Sequence, residues 1–80
     1  MKINKSKHFK EMILERGIKD SWVESTLEFP DEVEEKDDGT THYIKLIKEY
    51  GNRWLRIILN TQKLPPMAIT VFFDRRIKEK

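Results

Sequence analysis

The sequence predicts a small α+β domain, with two N-terminal helices packed on a four-stranded antiparallel sheet. Three observations carry this expectation. Apolar residues recur at helical spacing early in the chain, at Phe9, Met12 and Ile13 and again at Trp22, Val23 and Leu27. From residue 41 onward the pattern changes to strand alternation and short apolar runs such as Ile57-Ile58-Leu59. Eighty residues with no repeat and no low-complexity linker give one domain over 1–80, and helices on one face of a sheet satisfy the layer rule for such a chain.

The first helix is expected over 6–16. Ser6 caps it, Phe9, Met12 and Ile13 form its inward stripe, and Gly17 ends it, because glycine accepts the positive φ of a helix C-terminus. Ile18 then folds back on the last turn. The second helix is expected over 21–29, with Ser21 and Glu24 at capping-box spacing and Trp22, Val23, Thr26 and Leu27 facing inward. Pro30 stops it, since proline lacks a donor and restricts Phe29. The short joint 17–20 makes the two helices neighbours.

Residues 32–36 read as a short acidic edge strand, and Asp38-Gly39 as a hairpin turn. The second strand is expected over 41–50, with Ile44 and Leu46 setting its core side. After a turn at Gly51-Asn52, the third strand runs over 53–60. Leu55, Ile57 and Leu59 share one of its faces and Trp54, Arg56 and Ile58 the other, which makes it a central strand. Tandem Pro65-Pro66 cannot donate to a ladder and so precede the last strand, 67–74. There Met67, Ile69, Val71 and Phe73 alternate with Ala68, Thr70, Phe72 and Asp74. Arg75 to Lys80 forms a polar tail.

A domain of this size buries roughly 60–65% of the surface of its unfolded chain, so its core is thin and any active site is a shallow groove. The absence of cysteine excludes disulfides, thiolate metal sites and cysteine nucleophiles. No stretch approaches a membrane span, and the basic N-terminus has no apolar segment after it, so no membrane association and a cytoplasmic location are expected. Net charge is only +2, but it is unevenly spread: residues 1–40 carry seven basic and eleven acidic side chains, residues 41–80 nine basic and three acidic. Arg53, Arg56, Arg75 and Arg76 all fall on or beside strands of the basic half. A basic sheet face suits nucleic acid or an acidic partner protein, and an ordinary mixed surface accounts for the same counts.

His8, Arg16-Gly17-Ile18, Pro30, Arg53-Trp54-Leu55-Arg56 and the terminal Ile69-Thr70-Val71-Phe72-Phe73-Asp74-Arg75-Arg76 fall in a recognisable order. In this order the chain resembles an uncharacterised bacterial domain family related to the RelE- and BrnT-type toxins of toxin–antitoxin systems, small ribonucleases. The resemblance covers nearly the whole chain. It implies a RelE-like fold, a toxin-like endoribonuclease that cleaves RNA without a metal or other cofactor, and a cognate antitoxin protein as partner. Glu11 departs from the pattern, which has an arginine just before the methionine of the first helix.

Metal-free RNA cleavage must deprotonate a 2′-hydroxyl, stabilise a pentavalent phosphate and protonate the leaving oxygen. His8 or His42 can move protons. Arg56 and Arg76 are assigned to clamp the scissile phosphate, because a guanidinium fork matches its oxygens. His8 is assigned as acid or base, provided that the first helix passes near the end of the sheet. Arg53, Arg75, Trp54 and Tyr43 are the further RNA-binding candidates: two cations, an aromatic that stacks a base, and a phenol that donates to phosphate. Each also has a structural alternative, namely helix-surface histidine, solvated arginine, or core aromatic. The acidic run Glu32 to Asp38 lacks the spacing of a calcium loop and reads as a solvated edge.

Three functions therefore stand open: a ribonuclease toxin with an antitoxin, a non-catalytic RNA- or protein-binding module of the same fold, and a structural domain without substrate. An antitoxin is expected to lay an extended acidic segment over the Arg53 to Arg76 region.

Overall fold

The computed structural model describes residues 2–77. The last three residues of the expected polar tail, Lys78 to Lys80, lie outside the described residues, as does Met1. The element order is β1 (Asn4–Lys5), α1 (Lys7–Arg16), α2 (Asp20–Glu28), β2 (Glu32–Glu35), β3 (Thr40–Ile47), a 3-10 turn (Lys48–Tyr50), β4 (Arg53–Asn60) and β5 (Met67–Phe73). The two helices pack on one face of a mixed five-stranded sheet of order β1-β5-β4-β3-β2. The expected four-stranded antiparallel sheet thus gains a strand. β1 runs parallel to β5, pairing Asn4 with Met67 and Lys5 with Ala68. Its two residues are polar and exposed, so their side chains carry no strand signal; backbone bonds from Asn4 N to the Pro66 carbonyl and from Ser6 N to the Ala68 carbonyl hold it.

Helix α1 forms where its sequence signals stand. The Ser6 hydroxyl accepts from the Phe9 backbone N–H at 3.0 Å, satisfying one orphan donor of the first turn. Gly17 sits at φ 62° after the last turn, and the Ile18 N–H returns to the Ile13 carbonyl at 3.0 Å. This is a six-to-one closure with apolar residues at both ends, and both Ile13 and Ile18 are buried. Helix α2 starts one residue earlier than expected. Its N-cap is Lys19, with no side-chain cap, and Asp20 occupies the first turn, so Ser21 and Glu24 form no capping box. The closure at Gly17-Ile18 leaves a single extended residue before the second helix, which puts Ser21 already inside it. Asp20 instead meets the positive end of the helix dipole. The helix ends at Glu28, one residue short of expectation, with Phe29 as its non-helical C-cap before Pro30.

The core lies between helices and sheet. Phe9, Met12, Ile13, Ile18, Trp22, Val23 and Leu27 meet Ile47, Leu55, Ile57, Leu59, Ala68 and Val71. β4 behaves as expected, with Leu55, Ile57 and Leu59 fully buried on the helix side. β3 departs in two ways. It ends at Ile47, and Lys48–Tyr50 turn into a 3-10 helix rather than continuing the strand to residue 50. Its helix side is Thr41, Tyr43, Lys45 and Ile47, opposite Leu59, Ile57, Leu55 and Arg53. Ile44 and Leu46, expected on the core side, lie on the opposite face with Arg56 and Trp54. Lys45 tolerates the helix side because its ammonium reaches the Phe29 carbonyl at 2.8 Å, capping the C-terminus of α2. β5 contains a bulge: Leu59 pairs with Ala68, but Ile58 pairs with Thr70, skipping Ile69. Ala68, Val71 and Phe73 therefore share the helix side, which simple alternation forbids. Among the described residues no helix is long and apolar enough to cross a membrane.

Candidate functional site

The sheet face away from the helices carries the one dense polar cluster found among the described residues. Antiparallel register brings it together. Arg56 of β4 lies between Ile44 of β3 and Phe72 of β5, while Glu34 of β2 stands opposite His42 of β3, one row along. Asp74 continues β5 past its last strand residue, its N–H bonded to the Trp54 carbonyl at 2.8 Å, which places it beside Trp54 on the same face.

Arg56 is the centre. Its Nε donates to Asp74 Oδ2 at 2.8 Å, and its Nη1 donates to Glu34 Oε1 at 3.1 Å and to His42 Nδ1 at 2.8 Å. A guanidinium has no acceptor, so His42 Nδ1 must accept and the ring proton must sit on Nε2. Asp74 also holds Arg76, which donates from Nε to Oδ1 and from Nη2 to Oδ2, each at 3.0 Å, and from its backbone N to Oδ1 at 2.9 Å. Asp74 is 4% exposed and Arg56 9%, whereas the Arg76 side chain is 80% exposed. One buried carboxylate thus ties a buried arginine to an exposed one. Glu34 also pairs with Lys36 at 3.1 Å.

The electrostatics follow from these contacts. Hydrogen bonds from Arg76, with further ones from Arg56, hold the Asp74 carboxyl far below the ordinary carboxylate range despite its burial. The same pair raises Arg76. Glu34 is lowered by hydrogen bonds from Lys36 and Arg56. Burial lowers His42, and the charges of Arg56 and Lys36 add to it against the opposing pull of Glu34 and Asp38. His42 is therefore a neutral imidazole at neutral pH, offering an Nε2–H donor.

The candidates named from sequence divide into three groups. Arg56 and Arg76 share one carboxylate on the open face. Arg53, Trp54 and Arg75 line a pocket of about 320 Å³ at the end of the β4–β5 ladder, with Asn52, Phe73, Asp74 and Ile77. His8 and Tyr43 stand apart. Tyr43 is half-buried against the helix-side core. His8 is exposed on α1, which packs on β5 from the helix side, so the structure does not bring it to the two arginines. Glu34 and Asp74 are participants that the sequence reading does not assign to the site; His42, named there as a proton carrier, is passed over for His8. The signal for Asp74 was its position between Phe73 and Arg75-Arg76, a carboxylate embedded among arginines. For His42 it was its alternation with Ile44, once that face is recognised as the one carrying Arg56. Among the described residues no group of three histidines or acids is arranged to hold a metal ion.

Fold and cluster together define a small α+β domain with two helices on one face of a mixed sheet and an arginine-centred polar site on the other. The chain belongs to a domain family of unknown function, DUF4258, whose pattern matches residues 6–73 and so spans α1 through β5. No curated protein and no solved structure matches the chain.

Proposed function

We propose that the chain is a metal-independent endoribonuclease of the kind found in RelE- and BrnT-type toxins, acting from its open sheet face and neutralised by an antitoxin. The observation that carries this reading is the Arg56 Nη1 to His42 Nδ1 hydrogen bond at 2.8 Å beside the shared Asp74 of Arg56 and Arg76. It fixes a neutral histidine with its Nε2–H available and an exposed guanidinium on one surface. Arg76 and the Nε2–H are donors for a phosphodiester: the arginine takes non-bridging oxygens, and the histidine stabilises charge that develops on the departing 5′-oxygen. The nucleophile is the RNA's own 2′-hydroxyl: it gives its proton to water as the 2′-O–P bond forms and the P–O5′ bond breaks, and the departing 5′-oxygen takes a proton from water, so the products carry a 2′,3′-cyclic phosphate and a 5′-hydroxyl. Arg56, with three of its contacts made within the protein, positions His42 rather than gripping substrate. An antitoxin segment that is acidic and extended matches the Arg53, Arg75 and Arg76 surface.

The second reading is a non-catalytic RNA-binding module. It is favoured by the pairing of both carboxylates bonded to Arg56, Glu34 and Asp74, with cations, which withdraws them from service as a base. Induced expression in bacteria separates the two. Growth arrest with cut transcripts in the wild type, lost in His42→Ala and in Arg76→Ala and retained in His8→Ala at matched soluble protein levels, supports the nuclease. RNA retention by purified protein without any cutting, in a host free of a neutralising partner, supports the module.

A further inference from the structure

We propose that the pocket at the Trp54 end of the sheet holds one unstacked nucleobase, preferably a purine, of an RNA strand whose phosphate lies at Arg76. The inference rests on the reading of the open face as an RNA site and names what the adjoining pocket takes. Trp54, Arg53, Arg75, Phe73 and Asn52 line the pocket; Trp54 belongs to the open face, while the Phe73 ring packs on Tyr50 and Trp22 and closes the helix side. Aromatic rings and guanidinium planes are the surfaces on which single bases stack, and the larger purine gains more from them. Arg53 is anchored for this role: its Cζ lies 5.1 Å from the centroid of the Tyr50 ring. Asn52 sits in the turn before β4 at φ 55° and brings a donor and an acceptor to the pocket, the complement of a base edge. A volume of about 320 Å³ suits a single base with part of its ribose and is too small for a duplex.

What joins this pocket to the phosphate site is Asp74. It lines the pocket and also holds the Arg76 guanidinium through Nε and Nη2, each at 3.0 Å. Base and phosphate are then read from opposite sides of one fixed carboxylate.

The test is 1H–15N NMR of the full chain titrated with adenosine 5′-monophosphate, with ribose 5-phosphate as the baseless control. Two tryptophans give two indole signals. That of Trp22, whose Nε1–H is bonded to Glu49, serves as the internal reference. The Trp54 indole and Asn52 amide signals should shift with the nucleotide, and at least fivefold more weakly with the sugar phosphate. Trp54→Ala should lower nucleotide affinity on the order of tenfold. Arg75→Ala, an exposed position outside any strand, should lower it severalfold with the remaining spectrum unchanged. Equal shifts with both ligands, or shifts that leave Trp54 and Asn52 unmoved, overturn the proposal. The readout needs no turnover, so it stands or falls separately from cleavage: a protein that cuts RNA without a base-dependent shift keeps the activity and loses this pocket.

Discussion

At the scale of single residues, Asp74 has the most to lose. It is nearly inaccessible, and it satisfies Arg56, which is itself buried. Neutralising it leaves a buried guanidinium with only Glu34 and His42. Asp74→Asn should therefore lower the unfolding free energy by about 3 kcal/mol, read as a drop in the urea midpoint. Arg76→Ala, at an exposed side chain, should leave that midpoint nearly unchanged while weakening RNA binding. His42 sets a pH dependence. Its folded-state pKa is depressed, because the ring is partly desolvated and protonation would add a third cation beside Arg56 and Lys36, with Glu34 and Asp38 offsetting only part of this. The unfolded chain then binds more protons, so stability rises with pH across the window between the depressed value and the ordinary histidine value near 6.5. It is fully present above that window and lost as pH falls through it. Wild type should lose midpoint between pH 7.5 and 5 by more than His42→Gln; equal losses would show that His42 does not drive the change.

At the scale of elements, the sequence was most legible where one residue type does one job. Ser6, Gly17 and Pro30 mark helix ends through donor counts and allowed φ, and all three stand at the boundaries they imply. Gly17→Ala puts a Cβ on a left-handed residue with open space around it, so the cost is backbone strain alone, about 1 kcal/mol, measurable as a lowered melting temperature. Legibility failed where pairing, not side-chain pattern, creates the element. β1 exists because β5 offers it carbonyls, and nothing in Asn4-Lys5 announces a strand. On β3 both faces carry apolar groups, so Ile44 and Leu46 gave no reason to prefer one side over the other. The pairing of Tyr43 with Ile57 across the sheet is what decides it. The candidate site was half legible for the same reason. Arginines on strands can be counted in sequence, but which face they share depends on the register of four strands.

At the scale of the whole molecule, the charge asymmetry resolves into geometry. The acidic run lies on β2 and its turn, at one edge of the sheet, while Arg53, Arg75 and Arg76 gather around the far end of the β4–β5 ladder. Arg56, between them, has its charge met by Glu34 and Asp74. The free positive surface is therefore smaller than the count of arginines suggests. On the proposed RNA reading, three phosphate contacts on a single strand predict a slope of about −2 in log affinity against log salt, from about −0.7 per phosphate. A much steeper slope would mean that the lysine-rich N-terminal segment also engages the strand.

The extra residue in β5 makes length itself part of the information in this strand. Alternation assigns inside and outside by odd and even position, and Ile69 shifts that parity by half a period. Everything after it, Asp74 included, inherits the inverted assignment. The same chain with Ile69 taken into the ladder would have identical composition and hydrophobicity. It would nonetheless turn the carboxylate toward the oily interior and Val71 toward water, and strand Arg56 without its principal partner. At this strand length the bulge at Ile69, a local pairing that no side-chain chemistry reveals, is thus as strict a requirement as the identity of Arg56 or Asp74.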